Sequence, residues 1–226
     1  MSRLGERVHK FQNQVFPEKE KEFQELAKGQ SPQYLFITCS DSRVDPALIT
    51  QTAPGELFVL RNVGNMVPQY DAGMWEDAAA VEFAVVHLKV RQIIVCGHSH
   101  CGAVKTLMAD EIGEEMPAVR KWLDLQKEFR NEIMESIVDD VKKWMEQDRE
   151  LGKSLEETYS ALEGEEFLRR CERRNVKMQL RNLRSHPTVA KAIEEGTLKL
   201  RGWYYMLETG NVLELDEETQ QWHELE

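Results

Sequence analysis

Short apolar runs alternate with segments of helical pattern along this chain, and that alternation constrains the fold most. The runs YLFIT (34–38), ELFVLRNV (56–63) and QIIVCGH (92–98) are rich in β-branched and aromatic residues and read as buried strands. Between and after them, MWEDAAAVEFAVVHLKV (74–90) and CGAVKTLMA (from 101) read as helices. Strands alternating with helices predict an α/β fold with a mainly parallel central sheet flanked by helices. In such sheets functional groups gather at the carboxyl ends of the strands, beside a topological switch point.

The rest of the chain fits around that sheet. Residues 4–28 read as helical, with Leu4, Val8, Phe11, Val15 and Phe16 on roughly one face and Pro17 as an interruption. Residues 110–185 read as an almost wholly helical excursion, with charged hinges near Gly152 and Gly164. The segment 198–216 reads as strand, turn and strand, reversed at Thr209-Gly210-Asn211. The expected organisation is a single domain over 1–226, with a helical arm over 1–29 and a charged helical insertion over about 126–160. That insertion reads first as a solvated outer helix and second as an assembly surface.

Charge narrows the partners. A formal net charge of -11 argues against a nucleic-acid-binding face and against anionic membrane surfaces. No apolar run is long enough to span a bilayer, and the charged N-terminal stretch lacks the apolar centre of a secretory signal. Four sparse cysteines, Cys39, Cys96, Cys101 and Cys171, fit a cytoplasmic chain whose thiols are reduced, buried or metal-binding. A bacterial microcompartment and an organelle stroma are the alternative locations.

Two of the strand-like runs end in chemistry. FITCSDSRVDP (36–46) closes an apolar run with Cys39 and places Asp41 and Arg43 just beyond it. CGHSHCGAV (96–104) ends another with His98 and opens a helix with Cys101. Thiolate and imidazole are ligand types that Zn²⁺ prefers, and three protein ligands with an open fourth position mark catalytic rather than structural zinc. A carboxylate two residues from a ligand can orient metal-bound water, and a neighbouring guanidinium can hold that carboxylate ionised. H-x-x-C alone is a weak signal. A nucleophilic Cys39 with His98 as base is a second reading, although it leaves Cys101 idle. A redox pair is weaker, because no C-x-x-C is present.

CSDSR (39–43) together with GHSHCGAV (97–104) resembles the β-class carbonic anhydrases. The likeness extends through LAKGQSPQYLFITCSDSRVDP, PGELFVLRNVGNMVP, NVKMQLRNLRSHP and LKLRGWYYML, and is least familiar over roughly 126–160. It implies a zinc enzyme, one Zn²⁺ per chain, that interconverts CO₂ and bicarbonate by attack of zinc-bound hydroxide. The implied ligands are Cys39, His98 and Cys101, and Asp41 and Arg43 form the implied catalytic dyad. In one subgroup the residue matching Asp41 becomes a fourth ligand in a closed state.

Gln30, Phe58 and Val63 agree with the plant-like, open subgroup, and Phe36 stands where the regulated subgroup carries tryptophan. Phe83 departs from the open subgroup's tyrosine. The expected substrate pocket is Gln30, Phe58, Val63, Phe83 and the Gly102 backbone N–H, with His100 as a possible proton shuttle. The resemblance also implies a homodimer or a dimer-based tetramer or octamer, its pocket shared between subunits, with the matches of Gln30 and Phe83 supplied by the partner. The alternatives are a related CS₂ or COS hydrolase and a non-catalytic zinc scaffold. Outside the site, Arg61 is expected to pair with a buried acid, His87 to lie in a core or interface, and Cys96 and Cys171 to pack.

Overall fold

The computed structural model describes residues 2–72, 75–109, 112–128, 130–132, 135 and 164–225. The strands are β1 (Tyr34–Cys39), β2 (Leu57–Asn62), β3 (Gln92–His98), β4 (Lys199–Tyr205), β5 (Val212–Leu215) and β6 (Trp222–Glu224). They form one sheet in the order β2-β1-β3-β4-β5-β6. β2, β1, β3 and β4 run parallel, and β5 and β6 add an antiparallel edge. The α/β expectation therefore holds, and the strand-turn-strand reading of 198–216 is realised as β4 and β5. β6 is a short strand that the sequence pattern does not mark.

β1 is buried on both faces, as a central parallel strand must be. Leu35 and Ile37 join Ile93, Val95, Val176, Leu180 and Leu183 in the main core. Phe36 points to the opposite face with Ile94 and Cys96, which follows from the two-residue period of a strand. Burying a side chain such as Leu35, Phe36 or Ile37 contributes about 1.5–3 kcal/mol each. Thr38, also fully buried, donates its hydroxyl to the Cys96 carbonyl at 2.9 Å, so the strand carries no orphaned hydroxyl there.

The helices are α1 (Arg3–Lys10), α2 (Phe16–Leu26), α3 (Pro46–Thr50), α4 (Trp75–Glu82), α5 (Gly102–Ala109), α6 (Pro117–Asp124), α7 (Glu165–Leu183) and α8 (Pro187–Glu194). Pro17 does not end the first helical segment. A π-helical turn, Phe11–Val15, joins α1 to α2 and places Pro17 in the opening turn of α2, where a missing N–H is tolerated. A second π turn, Phe83–His87, ends the helix begun by α4. Of the expected excursion over 110–185, α6 and α7 are seen and Gly164 caps α7 with φ +98°. Gly152 and most of 126–160 lie outside the described residues. No described helix is long and apolar enough to cross a membrane.

α7 is the helix that matters for the site. It lies so close to the sheet that a Cβ on Gly97 would meet Val176 Cγ2 at 2.6 Å, and one on Gly202 would meet Leu180 Cδ1 at 2.9 Å. Glycines in β3 and β4 thus let α7 sit directly over the strand ends.

Candidate metal centre

The strand order reverses direction at β1: β2 lies to one side of it and β3 to the other. Cys39 is the last residue of β1 and His98 the last of β3, so the two straddle that switch point. Cys101 follows three residues later, immediately before α5. The two sulfurs and one His98 ring nitrogen lie within 4.8 Å of one another, and all three residues are buried. The strand-end reading of both motifs therefore brings these residues together in space.

The donor set suits a soft or borderline divalent cation. The backbone oxygen of Ser99 engages His98 Nδ1 at 2.9 Å. His98 Nε2 is buried without a hydrogen-bond partner among the described residues. A ring nitrogen fixed through its other edge and left with a free lone pair is the usual preparation of a metal-binding imidazole. The Cys101 thiol beside Cys39 holds Cys39 down at about 4, and Cys39 in turn pushes Cys101 well up. The pair thus shares one proton and one negative charge. Burial alone would lower His98, but the Cys39 sulfur opposes it and the net direction is up. A cation in this pocket would displace those protons, as metal ligands require.

Next to the sulfurs stands an ion pair. Arg43 Nε donates to Asp41 Oδ1 at 2.9 Å, and Arg43 Nη2 donates to Oδ2 at 2.7 Å. The Arg43 backbone N–H adds a third bond to Oδ1 at 3.0 Å. This fork holds the Asp41 carboxyl well below the usual carboxylate range. Asp41 Oδ2 lies 4.0 Å from His98 Nε2. Arg43 also donates to the His100 carbonyl at 3.1 Å, tying the two motifs together.

Arg61 corrects an expectation. Among the described residues it meets no buried acid: Nε donates to the Cys39 carbonyl at 3.2 Å and Nη2 to the Asp41 carbonyl at 2.8 Å. The guanidinium satisfies backbone left open where β1 ends. His87 is exposed rather than in the core, its ring 4.7 Å from that of Phe83. Cys96 and Cys171 are fully buried as expected, and burial pushes each thiol up to about 12.

The expected substrate pocket divides into two groups. Val63 precedes Gly64, whose N–H reaches Cys39 Sγ at 3.4 Å, and Gly102 opens α5 with open space where a Cβ would stand. These two belong to the rim of the centre. Phe58 and Phe83 stack on each other at 5.8 Å, elsewhere. Phe58 pairs in register with Leu35 whereas Asn62 pairs with Cys39, so Phe58 sits about 13 Å back along the strand. Gln30 is exposed on the segment before β1. One chain therefore does not gather the whole expected pocket. His100 is exposed at φ +57°, with Nε2 3.7 Å from carboxylates of both Glu165 and Glu208. Arg169 pairs with both acids.

Several residues of the centre escape sequence reasoning. Glu172 on α7 is buried and accepts the Cys101 N–H at 2.6 Å and the Tyr204 hydroxyl at 2.6 Å. Burial raises the Glu172 carboxyl, and burial together with Glu172 raises the Tyr204 phenol. Asn175 donates to the Gly64 carbonyl at 2.9 Å, and Trp122 Nε1 donates to the Val63 carbonyl at 2.7 Å. Asn175, Gln179 and Asn182 fall at helical spacing on the core-facing side of α7. A polar stripe where an apolar one is due is the signal that could find them.

Comparison with known proteins agrees with this geometry. A family model described as carbonic anhydrase matches residues 34–212. The carbonic anhydrase of Synechocystis sp. (strain ATCC 27184 / PCC 6803 / Kazusa) is 40% identical over 217 residues, covering 96% of this chain and 71% of that protein. That of Pseudomonas aeruginosa is 39% identical over 207 residues, covering 92% and 84%. Among solved structures, the β-carbonic anhydrase CcaA matches with a TM-score of 0.86 at 38% identity, covering 99% of this chain and 91% of that one. A β-carbonic anhydrase from Sordaria macrospora, one of two described as tetrameric, matches with a TM-score of 0.75 at 29% identity over 93% of each chain.

Proposed function

The chain belongs to the β-carbonic anhydrase family and is a carbonic anhydrase enzyme, and we propose that it hydrates CO₂ reversibly to bicarbonate and a proton with zinc held by Cys39, His98 and Cys101. The observation that carries this reading is the buried His98 Nε2, without a hydrogen-bond partner among the described residues and grouped with two buried sulfurs. Zinc held there supplies a Lewis acid that lowers the pKa of water from about 15.7 towards about 7.

The chain's own side chains supply orientation. Asp41, held ionised by the Arg43 fork, accepts a hydrogen bond from the attacking water and aims an oxygen lone pair at the CO₂ carbon. With its carboxylate engaged by Arg43, Asp41 acts as an acceptor rather than as a ligand, which favours the open form of the site. The Gly102 N–H, at the start of α5, binds a substrate oxygen, and Val63 lines the apolar side. His100 accepts the departing proton at an exposed ring beside Glu165 and Glu208.

Phe58, Phe83 and Gln30 complete the pocket from a second copy of the chain. The stacking of Phe58 on Phe83, well back from the chain's own sulfurs, supports a shared pocket. A homodimer or dimer-based oligomer follows, and the tetrameric relative from Sordaria macrospora is in keeping with it. Metal analysis with stopped-flow CO₂ hydration tests the proposal. One zinc per chain and fast hydration are expected; a fully zinc-loaded protein without hydration overturns it. Faster turnover of COS or CS₂ than of CO₂ reassigns the substrate.

A further inference from the structure

We propose that Glu172 and Asn175, neighbours on one turn of α7, are positioning residues that set the two metal-binding sulfurs, Glu172 through the Cys101 backbone and Asn175 through Gly64. The inference rests on reading Cys39, His98 and Cys101 as zinc ligands and assigns the next layer around them.

Cys101 immediately precedes α5, and the first N–H groups of a helix have no acceptor within it. The acceptor comes from across the fold. Glu172 Oε1 takes the Cys101 N–H at 2.6 Å, while Oε2 takes the Tyr204 hydroxyl at 2.6 Å. The carboxylate, only 1% exposed, is gripped at both oxygens and cannot swing away from Cys101.

The other sulfur is reached through the loop after β2. Gly64 donates its N–H to Cys39 Sγ at 3.4 Å and its carbonyl accepts Asn175 Nδ2 at 2.9 Å. Gly64 has φ +84°, and a Cβ there would meet Met66 Cε at 2.8 Å and Ala103 Cβ at 3.1 Å. Asn175 is itself oriented, since its Oδ1 accepts Gln179 Nε2 at 2.6 Å. One helical turn therefore grips both sulfur-bearing segments, and the packing of Val176 over Gly97 and Gly202 seats that turn. Outer partners of this kind typically change metal affinity by about 10–100-fold.

The test measures zinc release from the holoenzyme to excess chelator, with the melting temperature and the absorption spectrum of the cobalt-substituted protein alongside. Glu172→Leu and Asn175→Leu are expected to release zinc about 10–100-fold faster with an altered cobalt spectrum. Glu172→Gln, which keeps an acceptor for the Cys101 N–H, is expected to restore release close to wild type. Leu180→Ala, buried on the same helix but bonded to neither segment, should lower the melting temperature without hastening release. If the leucine variants do not fold, Asn175→Ser carries the comparison. Release at the wild-type rate from folded Asn175 variants, or Glu172→Gln releasing as fast as Glu172→Leu, overturns the inference. Absence of zinc from the wild-type protein would instead sink the proposed function.

Discussion

The carboxyl rim of the sheet and the amino-terminal arm satisfy their side chains in opposite ways. At the rim, polar groups are engaged from within the same chain: the half-buried Asp41 by the exposed Arg43, and the buried Cys101 N–H by Glu172 and Gly64 by Asn175. In the arm, neither α1, the following π turn nor α2 contains a buried residue. Leu4 is 70% exposed and Val8 50%. The Phe11, Phe16 and Phe23 rings contact one another, and Phe11 stays 42% exposed. An apolar face left open in the arm, against a rim whose contacts lie within the chain, fits the proposal that the candidate metal centre forms within one chain while the arm and the Phe58–Phe83 pair await a second copy.

The most severe test of this division is at the rim. Cys39→Ser or His98→Ala should leave the protein without stoichiometric zinc and bring CO₂ hydration down to that of the metal-stripped protein, measured by metal analysis and stopped flow. Stripping zinc with a chelator should have the same effect on the wild type, and restoring zinc should reverse it.

Asp41→Asn separates holding the metal from using it. Zinc content should stay at one per chain, while kcat falls by about 100-fold through lost orientation of the attacking water. Loss of zinc in this variant would mean that Asp41 holds the metal after all.

The arm is tested next. Replacing Leu4, Val8, Phe11 and Val15 together by aspartate should reduce the assembly mass in light scattering and raise KM, with zinc content unchanged. An unaltered mass would show that the arm's apolar face is not where copies meet. Phe83→Ala, which leaves the arm intact, should raise KM more than it lowers kcat, because an apolar wall binds substrate and transition state alike.

The smallest effect concerns Asp77, buried under the loop that follows β2. Burial raises its carboxyl despite the hydrogen bond from Asn62 at 2.9 Å. With the folded value above the unfolded one of about 3.9, the folded state holds the proton more tightly. The contribution of Asp77 to stability is then fully present below about pH 3.9 and is lost as the pH rises through the folded value. Asp77→Asn should flatten that fall, as read from urea titrations at a series of pH values.

Much of this molecule is legible in the order of its residues. β1, β3 and the β4–β5 reversal show there because apolar runs of strand length are bounded by turns. Cys39, His98 and Cys101 show because each sits at a strand end or a helix start, in residue types that bind soft metals. Arg61 misleads, because sequence gives a guanidinium no way to signal that two carbonyls rather than an acid will meet it. Pro17 misleads as well: periodicity does not distinguish the widened π turn at Phe11–Val15 from a helix end.

The layered sheet and the candidate metal-binding residues are legible in the sequence, since strand period and side-chain chemistry are local properties of neighbouring residues. Which groups hold those residues is settled only by the packed fold. Glu172 and Cys101 are 71 residues apart, and Asn175 and Gly64 are 111 apart. Nothing local marks these partners, because a Glu or Asn on a charged helix has the same pattern whether it meets water or a buried backbone group. Only α7 packed against Gly97 and Gly202 turns them inward. The separation of Phe58 from Cys39 along the sheet has the same origin, because distance within a parallel sheet is set by register, and register forms only when the strands meet.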